Sequence, residues 1–210
     1  MSPFPVLMED HWRPEPGEDP DRARLMWFMR VGGYPALAAM AEEARKRLAG
    51  LDGLDLVPRE WLHVTTLIAG FADEITGDQV QAMTDHARRA LAAVARPRIT
   101  LGRVLYHPRA VMLDAGPAGT LEPVLHAVQE ATLAATGREG TLHTSPWTPH
   151  ITLAYASATR PAGPVIEALG KSIPGGEMAI SAISLVSQKP RQTFRWDLIA
   201  TVPVGPGAAS

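Results

Sequence analysis

The chain has 210 residues, of which 46% are hydrophobic, enough to bury one large core or two small lobes. It contains no cysteine, which excludes disulfides, thiolate metal sites and a cysteine nucleophile; any metal would need His and carboxylate ligands, and histidine chemistry rises by elimination. A formal net charge of −2 argues against coating of long nucleic acid by bulk electrostatics and favours a small or terminal ligand.

Residues 1–24 are rich in Pro, Asp and Glu without periodicity and read as an irregular arm, with His11 and Trp12 standing out. The first residues lack the charge and apolar run of a secretory signal, and no apolar stretch approaches a membrane span, so a soluble cytoplasmic protein is expected. A buried strand is predicted over Leu25–Val31, ended by Gly32-Gly33. Leu37, Met40, Ala41, Ala44 and Leu48 then fall at helical spacing, and Gly50 stops the helix. Trp61–Ala69 reads as a strand, and Thr76-Gly77-Asp78-Gln79 as a capping box opening a second helix with Val80, Met83, Ala87, Leu91 and Val94 on its apolar stripe.

Ile99–Tyr106 and Ala110–Ala115 read as a hairpin around His107-Pro108-Arg109. A helix carrying Leu121, Val124, Leu125, Val128 and Thr132 follows, then a strand over Pro149–Ala156 and a short helix over Val165–Leu169. Met178–Ser187 and Phe194–Pro203 read as the last two strands, ahead of a flexible tail over 204–210. Residues 25–203 thus look like one domain in which a unit of strands and helices is used twice.

The two halves share one feature. His63-Val64-Thr65-Thr66 lies on the strand between the two helices of the first half, and His150-Ile151-Thr152-Leu153 on the corresponding strand of the second. Side chains alternate across a strand, so His63 and Thr65 share a face, as do His150 and Thr152. If a pseudo-twofold axis relates the halves, both pairs face one groove. Two imidazoles that titrate near ~6.5 can take a proton from an attacking oxygen and give one to a leaving oxygen. Threonine hydroxyls can hydrogen-bond the nonbridging oxygens of a phosphate. The set suits cleavage of a phosphodiester, with no metal or cofactor required.

These motifs resemble those of the two-histidine (2H) phosphoesterase superfamily, the LigT-like or 2′-5′ RNA ligase family, whose signature is a pair of His-x-Thr/Ser-x motifs flanked by apolar residues. Trp147-Thr148-Pro149-His150-Ile151-Thr152-Leu153-Ala154-Tyr155 is similar to the second motif of bacterial members. The resemblance implies an α+β fold, bilobal and pseudo-symmetric, with two mainly antiparallel sheets and outer helices around a central cleft. It also implies metal-independent cleavage of a 2′,3′-cyclic phosphate or 2′-5′ linkage of RNA or nucleotides, with His63 and His150 catalytic and Thr65 and Thr152 binding phosphate. One departure is Thr66, where an aliphatic residue is usual; it should face away from His63 and affect packing alone.

Further substrate contacts are sought in the turn Gln188-Lys189-Pro190-Arg191, where Lys189 and Arg191 could reach a phosphate, and in the arm, where His11 and Trp12 could fold over the cleft and stack a base. A solvated turn and a Trp that merely anchors the arm account for them as well. Tyr155 should share a face with Ile151 and Leu153, which makes it core, and Trp27, Trp61, Trp147 and Trp196 should be core or near-core. Between Asp85 and Asp114 lie Arg88, Arg89, Arg96, Arg98, Arg103 and Arg109 with no acid, either an anion-attracting patch or solvated helix and loop positions. A noncatalytic module binding RNA ends or nucleotides is the alternative reading. A metal hydrolase is weaker, since no His-Glu-x-x-His accompanies the histidines. A monomer that contains its own symmetry is the expected state.

Overall fold

The computed structural model describes residues 4–142, 144–190 and 194–206. Its elements run β1 (Leu7–Met8), β2 (Arg24–Arg30), α1 (Pro35–Leu48), β3 (Leu54–Leu56), β4 (His63–Phe71), α2 (Gly77–Ala92), β5 (Arg98–His107), β6 (Ala110–Asp114), α3 (Glu122–Thr136), β7 (His150–Ala156), β8 (Arg160–Pro161), α4 (Gly163–Leu169), β9 (Ser172–Ala179), β10 (Ala182–Gln188) and β11 (Asp197–Pro203). Thr76 caps α2 as expected: its hydroxyl accepts from the Gln79 N–H while the Gln79 side chain accepts from the Thr76 N–H. Gly137, in the left-handed region at φ 73°, ends α3.

The strands hydrogen-bond in the order β11-β10-β2-β4-β7-β6-β5-β9, every pair antiparallel, with β3 added to the far end of β7. The path divides at its centre. Strands β4 and β7 meet through one residue pair, Val64 with Ile151, so the β11-β10-β2-β4 sheet and the β7-β6-β5-β9 sheet form two lobes joined at the motif strands. Helices α2 and α3 pack on the first lobe and α1 and α4 on the second. The α+β architecture with two antiparallel sheets is therefore as expected, and the sequence halves are interlaced between the lobes: α1 comes from the first half and covers the second lobe, while α3, β10 and β11 come from the second half and complete the first.

Two expectations about the C-terminal region differ from the structure. Met178–Ser187 is not one strand: β9 pairs with β5 in the second lobe, β10 pairs with β2 in the first, and the chain crosses between lobes at Ile180 and Ser181. Strand β9 also starts well before Met178, in a stretch whose Pro174 and Gly175-Gly176 mask the strand signal. Gly175 is needed there, because a Cβ would lie 1.9 Å from the Leu101 carbonyl oxygen. Nor is the described part of the tail loose. Val204 is fully buried, its N–H donating to Ser181, and the Gly205 N–H donates to Leu91.

One core runs through both lobes. Trp27 sits in it fully buried on the helix side of the first sheet, its indole N–H donating to Thr132 of α3 at 3.2 Å. Met26 and Phe28, next to it in β2, point to the opposite face and join Val186 and Trp196 in a small second cluster that borders the cleft.

Candidate active site

The central register decides where the motifs face. Val64 and Ile151 pair and are fully buried, so their neighbours His63, Thr65, His150 and Thr152 turn to the other side. All four line one cavity of about 500 Å³ between the lobes. The expected juxtaposition of two His-Thr pairs is thus present in the structure.

The imidazoles are anchored alike. The Nδ1–H of His63 donates to the Trp61 carbonyl at 2.7 Å, and that of His150 to the Thr148 carbonyl, also at 2.7 Å. A carbonyl can only accept, so each ring carries its proton on Nδ1, and Nε2 is the nitrogen left to exchange one. Beyond this the two sites differ. His63 stacks on Phe28 with centroids 4.0 Å apart and meets the edge of Trp196 at 5.0 Å. Across the strands, His63 pairs with Arg30 and His150 with Asp114. Burial pulls the His150 imidazole below its ordinary value, opposed by the Thr148 carbonyl and by the Asp114 charge. Asp114 is itself 3.6 Å from the Arg103 guanidinium.

Tyr155 is a correction. It lines the cavity instead of the core, because Thr152 pairs with Met112 but Ala154 with Val111, leaving Leu153 as an extra residue that shifts the alternation. Strand β4 has the same irregularity, with Thr66 as the extra residue, and Ile68 faces the cavity as Tyr155 does. Thr66 turns away from His63 as expected and is fully buried, and among the described residues its hydroxyl has no hydrogen-bond partner.

The arm reaches the cleft. His11 and Trp12 both line the cavity: His11 stacks on Tyr155 with centroids 4.0 Å apart, and the Trp12 indole donates to Asp55 at 2.7 Å. The arm is held by backbone bonds, Glu9 N–H to Pro108 and His11 N–H to Ala156. Lys189 is not brought to the cavity and lies 3.4 Å from Asp21 on the surface. Arg191 lies outside the described residues. The arginine-rich stretch does not gather into a patch, because Arg88, Arg98 and Arg103 pair with Asp85, Glu177 and Asp114, and Arg96 donates to the Val204 carbonyl.

Several cavity residues escaped the sequence reading. Arg109 reaches the cavity from the β5–β6 turn and pairs there with Glu9 and Glu15 of the arm. His107, from the same turn, is pulled down by burial and by the charges of Arg109 and His150, with Glu9 opposing. Trp61 and Trp196 meet edge to face at 4.4 Å and line the cavity while staying near-core as expected, Trp196 within the second buried cluster and Trp61 packed against it. Among the described residues, no group of three or more His, Asp or Glu is placed to hold a metal ion, and no helix is long and apolar enough to cross a membrane.

The fold is similar to that of TT0787 of Thermus thermophilus, with 20% identity, a TM-score of 0.64 and coverage of 88% of this chain and 99% of that one. It is similar to E. coli LigT in apo form, with 18% identity, a TM-score of 0.59 and coverage of 88% and 98%. E. coli LigT complexed with 3′-AMP matches at 16% identity and a TM-score of 0.58, covering 87% and 98%. No curated protein sequence matches the chain. The family model of the 2′-5′ RNA ligase superfamily matches residues 34–192, a span that holds both motif strands, and the chain belongs to that superfamily.

Proposed function

We propose that the chain is a metal-independent phosphodiesterase acting on 2′,3′-cyclic phosphate ends or 2′-5′ linkages of RNA or nucleotides, with His63 and His150 as paired acid and base. The observation that carries this reading is the matched anchoring of the two imidazoles, each with Nδ1–H on a carbonyl two residues back and a threonine beside it. LigT structures with 3′-AMP, ATP and NADP+ support a nucleotide as the ligand class.

For a cyclic phosphate, one Nε2 takes a proton from water as the water oxygen bonds to phosphorus. The other, protonated, Nε2 gives its proton to the ribose oxygen as the ring P–O bond breaks. The Nδ1–H bonds to Trp61 and Thr148 hold each ring in the tautomer this requires. Thr65 and Thr152 donate their hydroxyls to the nonbridging oxygens, where charge builds in the transition state. Because both lobes come from one chain, a monomer suffices.

Chelator-treated protein is expected to turn over 2′,3′-cyclic nucleotides or 2′-5′-linked dinucleotides. His63→Ala and His150→Ala should each lose about 10²- to 10⁴-fold in kcat. Full activity in either variant would sink the acid-base assignment. Binding without turnover by the wild type would favour the noncatalytic module, and activity abolished by chelation would require a metal.

A further inference from the structure

A second cavity, about 510 Å³, opens on the same face of the first-lobe sheet and shares no lining residue with the first. Its lining includes Arg30, Arg59, Ser184 and Thr201, together with Gly32, Gly33 and Glu60. The register shows why it adjoins the first. Arg30 is the cross-strand partner of His63, Phe28 of Thr65, Ser184 of Phe28 and Thr201 of Ser184. Directly paired residues project from the same side of a sheet, so Arg30, Ser184 and Thr201 share the face that carries His63 and Thr65.

One turn joins the two cavities. Residues Arg59–Trp61 form a single 3₁₀ turn: Trp61 lends its carbonyl to His63, while Arg59, two residues earlier, lines the second cavity. The Arg59 Nε–H donates to the Gly32 carbonyl at 2.6 Å, which fixes the head of the side chain. Gly32 permits this, since a Cβ there would lie 1.9 Å from the Arg59 carbonyl oxygen. Arg24 and Arg109, which line the first cavity, each have a carboxylate partner. Among the described residues, Arg30 and Arg59 have none, so two guanidiniums face one carboxylate, Glu60, and the cavity is net positive. The Ser184 and Thr201 hydroxyls bond each other at 3.1 Å, which leaves one hydroxyl proton to donate into the cavity.

We propose that this cavity is a second phosphate subsite, which binds the 5′-phosphate of the nucleotide whose terminal phosphate lies between His63 and His150, and so selects a nucleic-acid end over a bare cyclic nucleotide. The inference rests on the reading of the two histidines as the groups that grip the terminal phosphate. Guanidiniums suit such a ligand because they give directional, charge-assisted bonds to phosphate oxygens.

The test compares uridine 3′,5′-bisphosphate with uridine 3′-monophosphate by calorimetric titration. Wild type should bind the bisphosphate about tenfold tighter, the size of one good charge-assisted bond. Arg30→Gln and Arg59→Gln should each bring that ratio towards one, and Arg59→Lys, which keeps the charge, should restore part of it. Equal affinity of the wild type for the two ligands, or a ratio unchanged in both glutamine variants, overturns the subsite. Turnover of a cyclic nucleotide is measured separately. An intact bisphosphate preference without any turnover would sink the phosphodiesterase reading and leave the subsite standing.

Discussion

His63 and His150 are interchangeable in their local sequence and are set apart by what lies across the strand, an arginine for one and an aspartate for the other. The Asp114 charge favours the protonated His150 ring, so Asp114→Asn should move the His150 titration further down, read from its imidazole resonances against pH. An unmoved or raised titration would mean that the Asp114 charge does not reach the ring. Thr66 offers a simpler test. Its hydroxyl is buried without a partner, so Thr66→Val should stabilise the fold by about 1 kcal/mol, seen as a higher urea midpoint at unchanged slope. The four motif residues were legible because their chemistry is written within three consecutive positions. Arg30, Asp114 and Tyr155 were not, since their places depend on cross-strand register and on a bulge that no local pattern announces.

Helices carried their own signals, and the capping box of α2 was readable down to the bonding atoms. Thr76→Ala should cost about 1 kcal/mol by urea denaturation, and Thr76→Ser should restore most of it. A negligible loss would mean that packing of α2 against α3 alone sets its stability. The short strands β1, β3 and β8 were invisible, because two or three residues hold no periodicity and exist only where a neighbouring edge accepts them. The same limit hid the arm's course, which is set by bonds from Glu9 and His11 to Pro108 and Ala156 of the second lobe. If the arm forms a wall of the substrate cavity, Trp12→Ala should raise KM several-fold and leave kcat nearly constant. A fall in kcat alone would instead place Trp12 in the chemistry.

Across the whole molecule, two histidines of the cleft tie folding to pH. His150 and His107 both titrate below their ordinary value in the folded chain, so the unfolded chain binds protons first as pH falls. Their stabilising contribution is complete above about pH 6.5 and is lost as pH drops towards the folded-state values. The urea midpoint should therefore fall between about pH 7.5 and pH 5.5, and less steeply in a His107→Gln variant. The repeated unit was legible from the order of elements and the two lobes from the family resemblance, whereas the exchange of helices between lobes was not, because sequence order does not say which sheet a helix covers. That exchange also sets a schedule for the growing polypeptide. Strand β2 is made long before β10, for which one of its edges waits, and α1 is made long before β9. A nascent chain must keep that edge and that helix face covered by something else until β9 and β10 leave the ribosome, so this domain is expected to start folding only after those strands are made, and to lean on chaperones until then.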